Sequence, residues 1–201
     1  MNSFPFSGPP QRLTDHSFLN LFTTEVHTAD GRRPWIFASR KQMPLSGNIK
    51  ADAVVLIVIV RDADEARLVV IREFRAPLGR FQVALPAGLI DNDEVVSAAA
   101  ARELFEETGL TLSNVVHVSP PIAPSAGLTD ETLCLVYGEA TGTISRVHQD
   151  KHEDIETRFL NLAELRSLIE TPSDDVVCLK LYLAIISFLG AGRIALPHST
   201  S

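Results

Sequence analysis

The sequence predicts a mixed α/β fold, in which strands and helices alternate into a mixed sheet covered by helices, preceded by a small antiparallel β unit. The continuous apolar run AVVLIVIV at 53–60 is typical of a central strand. A stretch rich in Ala and Glu at 94–108 is typical of a helix. The turn signal at 29–31, Ala-Asp-Gly, separates two β-prone segments and predicts a hairpin.

Four segments follow from these signals. Residues 1–16 are rich in Pro, Gly and Ser, which predicts a flexible tail. Residues 17–50 contain FLNLFTTEVHT and RPWIFASR, which we expect to form the strands of the N-terminal β unit. The main domain is predicted to span residues 51–190, followed by a C-terminal tail at 191–201.

Within the main domain, further strands and two more helices are predicted. The short segment AELRSLIE indicates one helix, and apolar residues at helical spacing indicate a last helix at 173–189 that packs on the sheet. The strands, in chain order after the central one, are predicted at RLVVIREF, FQVALPAG, VVHVS, TLCLVYGEA and TRFLNL.

The helix at 94–108 carries signals at both ends. Asp91 and Glu94 have the spacing of a capping box, and Gly109 stands where helices commonly end in the left-handed conformation. Arg102 follows Glu94 by eight residues, close to two helical turns. We therefore expect an ion pair that steadies the connection between the loop and the helix.

Three glutamates near the end of this helix break the local rules. Glu103, Glu106 and Glu107 share one face, so they repel one another. They also lie in the last two turns, where the helix dipole favours cations. Divalent cations would remove both penalties, and carboxylate oxygens are the ligands that Mg2+ or Mn2+ prefers. A solvated acidic face is the alternative interpretation.

Composition excludes several classes of function. A net charge of -7 offers no basic field for a nucleic-acid backbone, so we expect no nucleic-acid partner. Cys134 and Cys178 lie in apolar stretches without metal-binding spacing, which indicates buried reduced thiols. The N-terminus lacks the pattern of a signal peptide, and the apolar run at 176–189 is too short to span a bilayer. We therefore expect a cytoplasmic protein without a membrane partner.

The segment from Gly88 to Leu110 has the pattern G-x5-E-x7-R-E-U-x-E-E-x-G-U, where U is aliphatic. This is a complete Nudix box, and the chain resembles the Nudix hydrolases. The resemblance implies an α/β/α sandwich and Mg2+- or Mn2+-dependent hydrolysis of a nucleoside diphosphate linked to another group. It also implies a set of metal ligands, which comprises Glu103, Glu106, Glu107 and the backbone carbonyl of Ala87. Glu106 and Glu107 are at the same time candidate catalytic residues.

Two further segments, REFRAPLGRFQVALPAGLID and GLTDE, are similar to the branch that hydrolyses ADP-ribose and other nucleoside diphosphate sugars. In that branch Arg75 matches a residue that contacts phosphate. Trp35 and Arg40 match a Trp and an Arg that reach the nucleotide of a neighbouring protomer. The resemblance thus implies a homodimer with residues 17–50 at its interface. Core packing for the Trp and a solvated Arg are the alternatives.

The general base is assigned by resemblance as well. Glu153, in the segment KHEDI, matches a glutamate that activates water or completes the metal shell, and Glu131 in GLTDE is a second candidate. A solvated loop carboxylate is the alternative for Glu153.

Departures from the branch leave the preferred base and sugar open. Ala84 stands where a Glu is common, Ala126 where a Pro is common, and Arg72-Glu73 replaces a Glu-Gln pair. Two rival functions remain. One is a Nudix hydrolase of dinucleotides or modified nucleoside triphosphates, against which the lack of zinc-ribbon cysteines argues. The other is a non-catalytic domain that senses ADP-ribose, against which the complete set of box glutamates argues.

Overall fold

The structure is a computed structural model that describes residues 6–45, 49–62, 65–149 and 154–197. It contains a three-stranded sheet, an eight-stranded sheet and three helices within these ranges. The mixed α/β fold with a small antiparallel N-terminal sheet, predicted from the sequence, is confirmed.

The chain divides into two compact units. The first comprises Met1–Asp52 and Pro121–Leu133, and the second comprises Ala53–Pro120 and Cys134–Ser201. The sequence prediction placed the stretch Pro121–Leu133 in the main domain. It clusters with the first unit because the backbone N–H of Ala38 donates to the carbonyl of Leu128 at 2.8 Å, a contact between residues far apart in sequence.

The first unit contains the antiparallel strands β1 (Phe6–Arg12), β2 (Asn20–Thr28) and β3 (Gly31–Ser39) in that spatial order. The hairpin predicted between β2 and β3 is confirmed, and Gly31 at the turn has a φ of 113°. The predicted flexible tail is wrong at Phe6–Arg12, which pairs with β2. The segment tolerates its prolines because an edge strand leaves one row of N–H groups unpaired.

The second unit is built on the eight-stranded mixed sheet. Its spatial order is β11-β6-β5-β4-β9-β8, with β10 paired to β5 and β7 paired to β4. The β4–β5 and β8–β9 pairs are antiparallel, whereas β11 runs parallel to β6. The strands are β4 (Ala53–Asp62), β5 (Glu65–Arg75), β6 (Arg80–Ala84), β7 (Ala87–Leu89), β8 (Thr111–Val118), β9 (Leu133–Thr141), β10 (Glu156–Leu160) and β11 (Val176–Val177).

The helices are α1 (Val96–Thr108), α2 (Leu162–Glu170) and α3 (Leu179–Ala191). Small and aliphatic residues of α1 pack on the centre of the sheet, which fixes the helix that carries the three glutamates. Within the described residues, no helix is long and apolar enough to cross a membrane. The shared core cluster consists of Val54, Leu56, Val58, Val69, Ala99, Ala100, Leu104, Leu110, Val136 and Ala140.

Two helices begin later than the sequence predicted. The helix expected from residue 94 begins at Val96, because the Glu94 carboxylate is bound by Arg102 and by the N–H of Asp91. The helix expected from residue 173 begins at Leu179. The β-branched pair Val176–Val177 instead forms β11, which extends the sheet beside β6.

The cysteines fit the expectation in part. Cys134 is buried and free, and burial raises the pKa of its thiol. Cys178 is also free but only half-buried, beside the core residues Ile71 and Ala84. Neither thiol is held in a disulfide in this structure.

Candidate functional site

The last two turns of α1 carry the three predicted metal ligands. The side chain of Glu103 is 14% exposed and that of Glu106 is 44% exposed. Glu107 is buried, with 6% of the residue exposed. Because an isolated buried carboxylate is costly, Glu103 and Glu107 each need a hydrogen-bond donor or a cation nearby.

Strand β7 lies against these glutamates. The backbone N–H of Ala87 donates to the Glu107 carboxylate at 3.1 Å. A Cβ atom on Gly88 would stand 1.9 Å from the Glu103 carboxyl carbon, so only glycine lets this carboxylate approach the backbone so closely. The structure therefore brings Ala87 together with two of the three glutamates.

Arg102 links the start of α1 to its carboxylates. Its Nε and Nη2 atoms donate to the Glu94 carboxylate at 3.0 and 2.8 Å, and Nη2 also donates to the Leu89 carbonyl at 2.9 Å. Its Nη1 atom donates to Glu103 at 2.8 Å and to Glu106 at 3.0 Å. The ion pair predicted between Arg102 and Glu94 is thus confirmed, and this hydrogen bonding lowers the pKa of Glu94.

Ser145 and Gln149, from a polar segment without a sequence motif, form hydrogen bonds with the end of α1. Gly109 adopts the left-handed conformation predicted for it, with a φ of 77°. The N–H of Ser145 donates to the Thr108 carbonyl at 2.9 Å. The side-chain amide of Gln149 donates to the Glu107 carbonyl at 2.8 Å. These contacts satisfy carbonyls that the end of a helix leaves unpaired.

Gln149 also reaches the start of β10. Its amide donates to the Ile155 carbonyl at 2.9 Å and accepts from the Ile155 N–H at 3.3 Å. No sequence signal predicts this role, because a glutamine in a polar stretch carries no motif. Glu153, the predicted general base, lies outside the described residues.

The donor set around α1 fits a divalent cation. Glu103 and Glu106 both contact one cationic nitrogen, Arg102 Nη1, so their oxygens already converge on a positive charge. Carboxylate and carbonyl oxygens are the ligands that hard cations prefer. Among the described residues, no group of three or more acidic, His or Cys side chains has the arrangement of a metal centre. The fit therefore rests on ligand chemistry and on this convergence.

Arg75 stands at the end of β5 in the second unit. Its side chain is 48% exposed and forms an ion pair with Glu73 of the same strand. A half-exposed guanidinium with one carboxylate partner retains donors for a phosphate. Its predicted phosphate contact stays a prediction.

Trp35 lies in the first unit and lines a cavity of about 330 Å³. It is 49% exposed, so its ring is available to a ligand and is not part of a packed core. Phe37 and Val26 contribute apolar walls to the same cavity, and Ala126 and Asp130 also line it. A planar apolar group is the kind of ligand that such walls suit.

Arg40 and Glu131 also lie in the first unit, where they contact each other. Arg40 Nε donates to the Glu131 carboxylate at 3.1 Å, and the guanidinium lies 4.3 Å from the centre of the Phe18 ring. Arg40 is therefore held by an ion pair and a cation–π contact rather than simply solvated. Only the Nε donor of Arg40 contacts Glu131 in this pair, so the Nη donors of its guanidinium remain for another acceptor.

Residues 50–180 match the family described as NUDIX domain. The chain belongs to the Nudix family. It is 34% identical over 104 residues to an ADP-ribose pyrophosphatase of Saccharomyces cerevisiae, with 52% of this chain and 44% of the yeast protein covered. It is 26% identical over 162 residues to an ADP-ribose pyrophosphatase of Bacillus subtilis, with 80% of each chain covered.

A solved structure described as an ADP compounds hydrolase shares the fold of this Nudix protein. The TM-score is 0.61 at 19% sequence identity, covering 96% of this chain and 100% of the other. The chain spans about half the length of the yeast protein and of a nematode relative, where the matched stretch covers 44% and 48%.

Proposed function

We propose that this Nudix protein hydrolyses the diphosphate linkage of ADP-ribose or another nucleoside diphosphate sugar, with Mg2+ or Mn2+. The products are a nucleoside monophosphate and a sugar phosphate. The observation that carries the proposal is the convergence of Glu103 and Glu106 on one cationic nitrogen, beside strand β7, which contains Ala87. The yeast and Bacillus relatives are both named ADP-ribose pyrophosphatase, which supports the substrate class.

The residues that would hold the metal are Glu103, Glu106, Glu107 and the carbonyl of Ala87. Nudix hydrolases generally use divalent metal ions. A bound cation would neutralise charge on the diphosphate and lower the pKa of a coordinated water. Glu107 accepts the Ala87 N–H, which holds Ala87, the residue of the proposed carbonyl ligand, beside the end of α1. Arg102 orients the other two carboxylates.

Glu153 is the proposed general base, with Glu131 as the second candidate. Glu131 accepts a hydrogen bond from Arg40 at 3.1 Å. Glu153 keeps the role because its segment KHEDI matches the segment that carries the base in the resembling branch.

Trp35, Arg40 and Arg75 are the proposed substrate-binding residues. The half-exposed Trp35 ring and the apolar cavity beside it support stacking on the nucleotide base. Arg75 supports a phosphate contact because its guanidinium is half-exposed. Arg40 supports a phosphate contact through its Nη donors, because only its Nε donor contacts Glu131.

We also propose a homodimer, with residues 17–50 forming much of the interface, and a cytoplasmic location. The support for the dimer is a concentration of large apolar side chains on the surface of this segment, which is typical of interaction surfaces. The exposed side chains are those of Phe18, Leu19, Leu21, Trp35, Ile36, Met43, Leu45 and Ile49.

A phosphatase-coupled assay of phosphate release tests the substrate proposal. Nucleoside diphosphate sugars, dinucleotides and nucleoside triphosphates are compared at matched Mg2+ concentration. We expect the highest kcat/KM for a nucleoside diphosphate sugar. A comparable kcat/KM for a triphosphate or dinucleotide would assign the rival hydrolase function, and binding of ADP-ribose without turnover would assign the sensor function.

A further inference from the structure

Arg102 has an unusual double set of contacts. A guanidinium has five N–H donors, and the structure places an acceptor opposite each of them. Three donors, on Nε and Nη2, contact Glu94 and the Leu89 carbonyl. The two donors on Nη1 contact Glu103 and Glu106, which are the proposed metal ligands. The side chain is 29% exposed, so these charges are partly shielded from water.

From this division we infer that Arg102 Nη1 and a divalent cation compete for the same two carboxylates, Glu103 and Glu106. Nη1 occupies Oε1 of Glu103 and Oε2 of Glu106, so a cation that binds these two oxygens displaces it. The guanidinium then stays in place through its three other contacts, with Glu94 and Leu89. Arg102 is thus a positioning residue that tunes metal affinity, and the inference rests on the proposed metal ligands.

Competition and a merely structural role of Arg102 predict opposite changes in metal affinity when the residue is replaced. Loss of a residue that only braces the site lowers metal affinity, because the ligands lose their arrangement. Loss of a competing positive charge beside the ligands raises metal affinity instead. The cation is then no longer repelled by the guanidinium and no longer has to displace it from the carboxylates. The sign of the change therefore decides between the two roles.

The experiment measures Mn2+ binding to the full chain from the electron paramagnetic resonance signal of free Mn2+. Arg102→Gln is compared with Glu94→Gln, a matched control that weakens the anchor but leaves Nη1 opposite Glu103 and Glu106. We expect Arg102→Gln to bind Mn2+ about tenfold more tightly than the unmodified chain, and Glu94→Gln to show no tightening. Unchanged or weaker binding by Arg102→Gln would overturn the inference.

A second measurement on the unmodified chain applies even where Arg102→Gln does not fold. Nitrogen-15 spectra of the arginine side chains are recorded during a titration with diamagnetic Mg2+. We expect the Nη1 resonance of Arg102 to lose its hydrogen-bonded shift while the Nε resonance is retained. An unchanged Nη1 resonance at saturating Mg2+ would contradict the competition. An unmodified chain that binds neither metal would instead overturn the proposed function itself.

Discussion

The same short pattern, an Asp or Asn followed three residues later by Glu, stands at the start of α1 and of α2, and the two helices use it differently. At α2, Asn161 accepts the Glu164 N–H at 2.9 Å and the Glu164 carboxylate accepts the Asn161 N–H at 2.8 Å. This is a complete capping box. Before α1, the Glu94 carboxylate accepts the Asp91 N–H but also binds Arg102.

The difference shows what each pattern serves. In α2 the side chains stabilise the start of the helix. Helix α1 begins two residues after Glu94. Its N-cap residue is Val95, and within the described part of the chain no side chain forms a capping hydrogen bond there. Glu94 instead anchors the arginine that contacts Glu103 and Glu106. Glu94 therefore serves the proposed site and does not cap the helix. Substitution at α1 should change activity, whereas substitution at α2 should change only stability.

The largest effect is expected at the carboxylates of α1. Glu107→Gln retains an oxygen that accepts the Ala87 N–H but removes a ligand charge. We expect kcat to fall at least about a hundredfold and metal affinity to fall with it. Circular dichroism should show a folded protein. Near-normal turnover of ADP-ribose by this variant would contradict the assignment of Glu107.

The two glutamates of the shared pattern form a matched pair. Glu94→Gln weakens the anchor of Arg102, so we expect activity to fall about 10- to 100-fold, the range for residues that support metal ligands. Glu164→Gln removes the same kind of charge at α2 and should leave kcat unchanged. Steady-state kinetics and thermal unfolding of both variants check this. Equal kinetic losses would remove the functional distinction between the two helices.

Trp35→Ala extends the comparison to the first unit. A half-exposed aromatic ring that stacks on a base contributes roughly 1 to 3 kcal/mol, so KM should rise about tenfold while kcat changes little. Light scattering in the same experiment reports whether the protein is a dimer. An unchanged KM would show that the ring does not contact the nucleotide.

The smallest loss of kcat among the proposed site variants is expected at Gln149, which contacts the end of α1. Gln149→Glu has the same shape but cannot donate to the carbonyls of Glu107 and Ile155. We expect kcat to fall about fivefold through a shift of Glu107, with KM retained. Gln11→Glu, at an exposed position of β1, is the matched control. A loss that appears in both variants would reflect charge alone.

The elements that the sequence predicted correctly are those whose signals lie within a short stretch of chain. The apolar run of β4, the hairpin turn before Gly31 and the helix with Gly109 at its end each carry their signal within a few residues. β1 was missed because its pairing with β2 depends on a partner elsewhere in the chain. Gln149 was missed for the same reason, since its partners Glu107 and Ile155 are joined only by folding.

The metal dependence of ADP-ribose hydrolysis tests the central claim most directly. The chain is freed of metal with EDTA, exchanged into metal-free buffer and assayed for nucleoside monophosphate release before and after addition of Mg2+ or Mn2+. The proposed roles of Glu103, Glu106 and Glu107 predict no turnover without metal and restored turnover with either cation. Full hydrolysis in the absence of divalent metal, or no hydrolysis of any nucleoside diphosphate sugar in its presence, would contradict them.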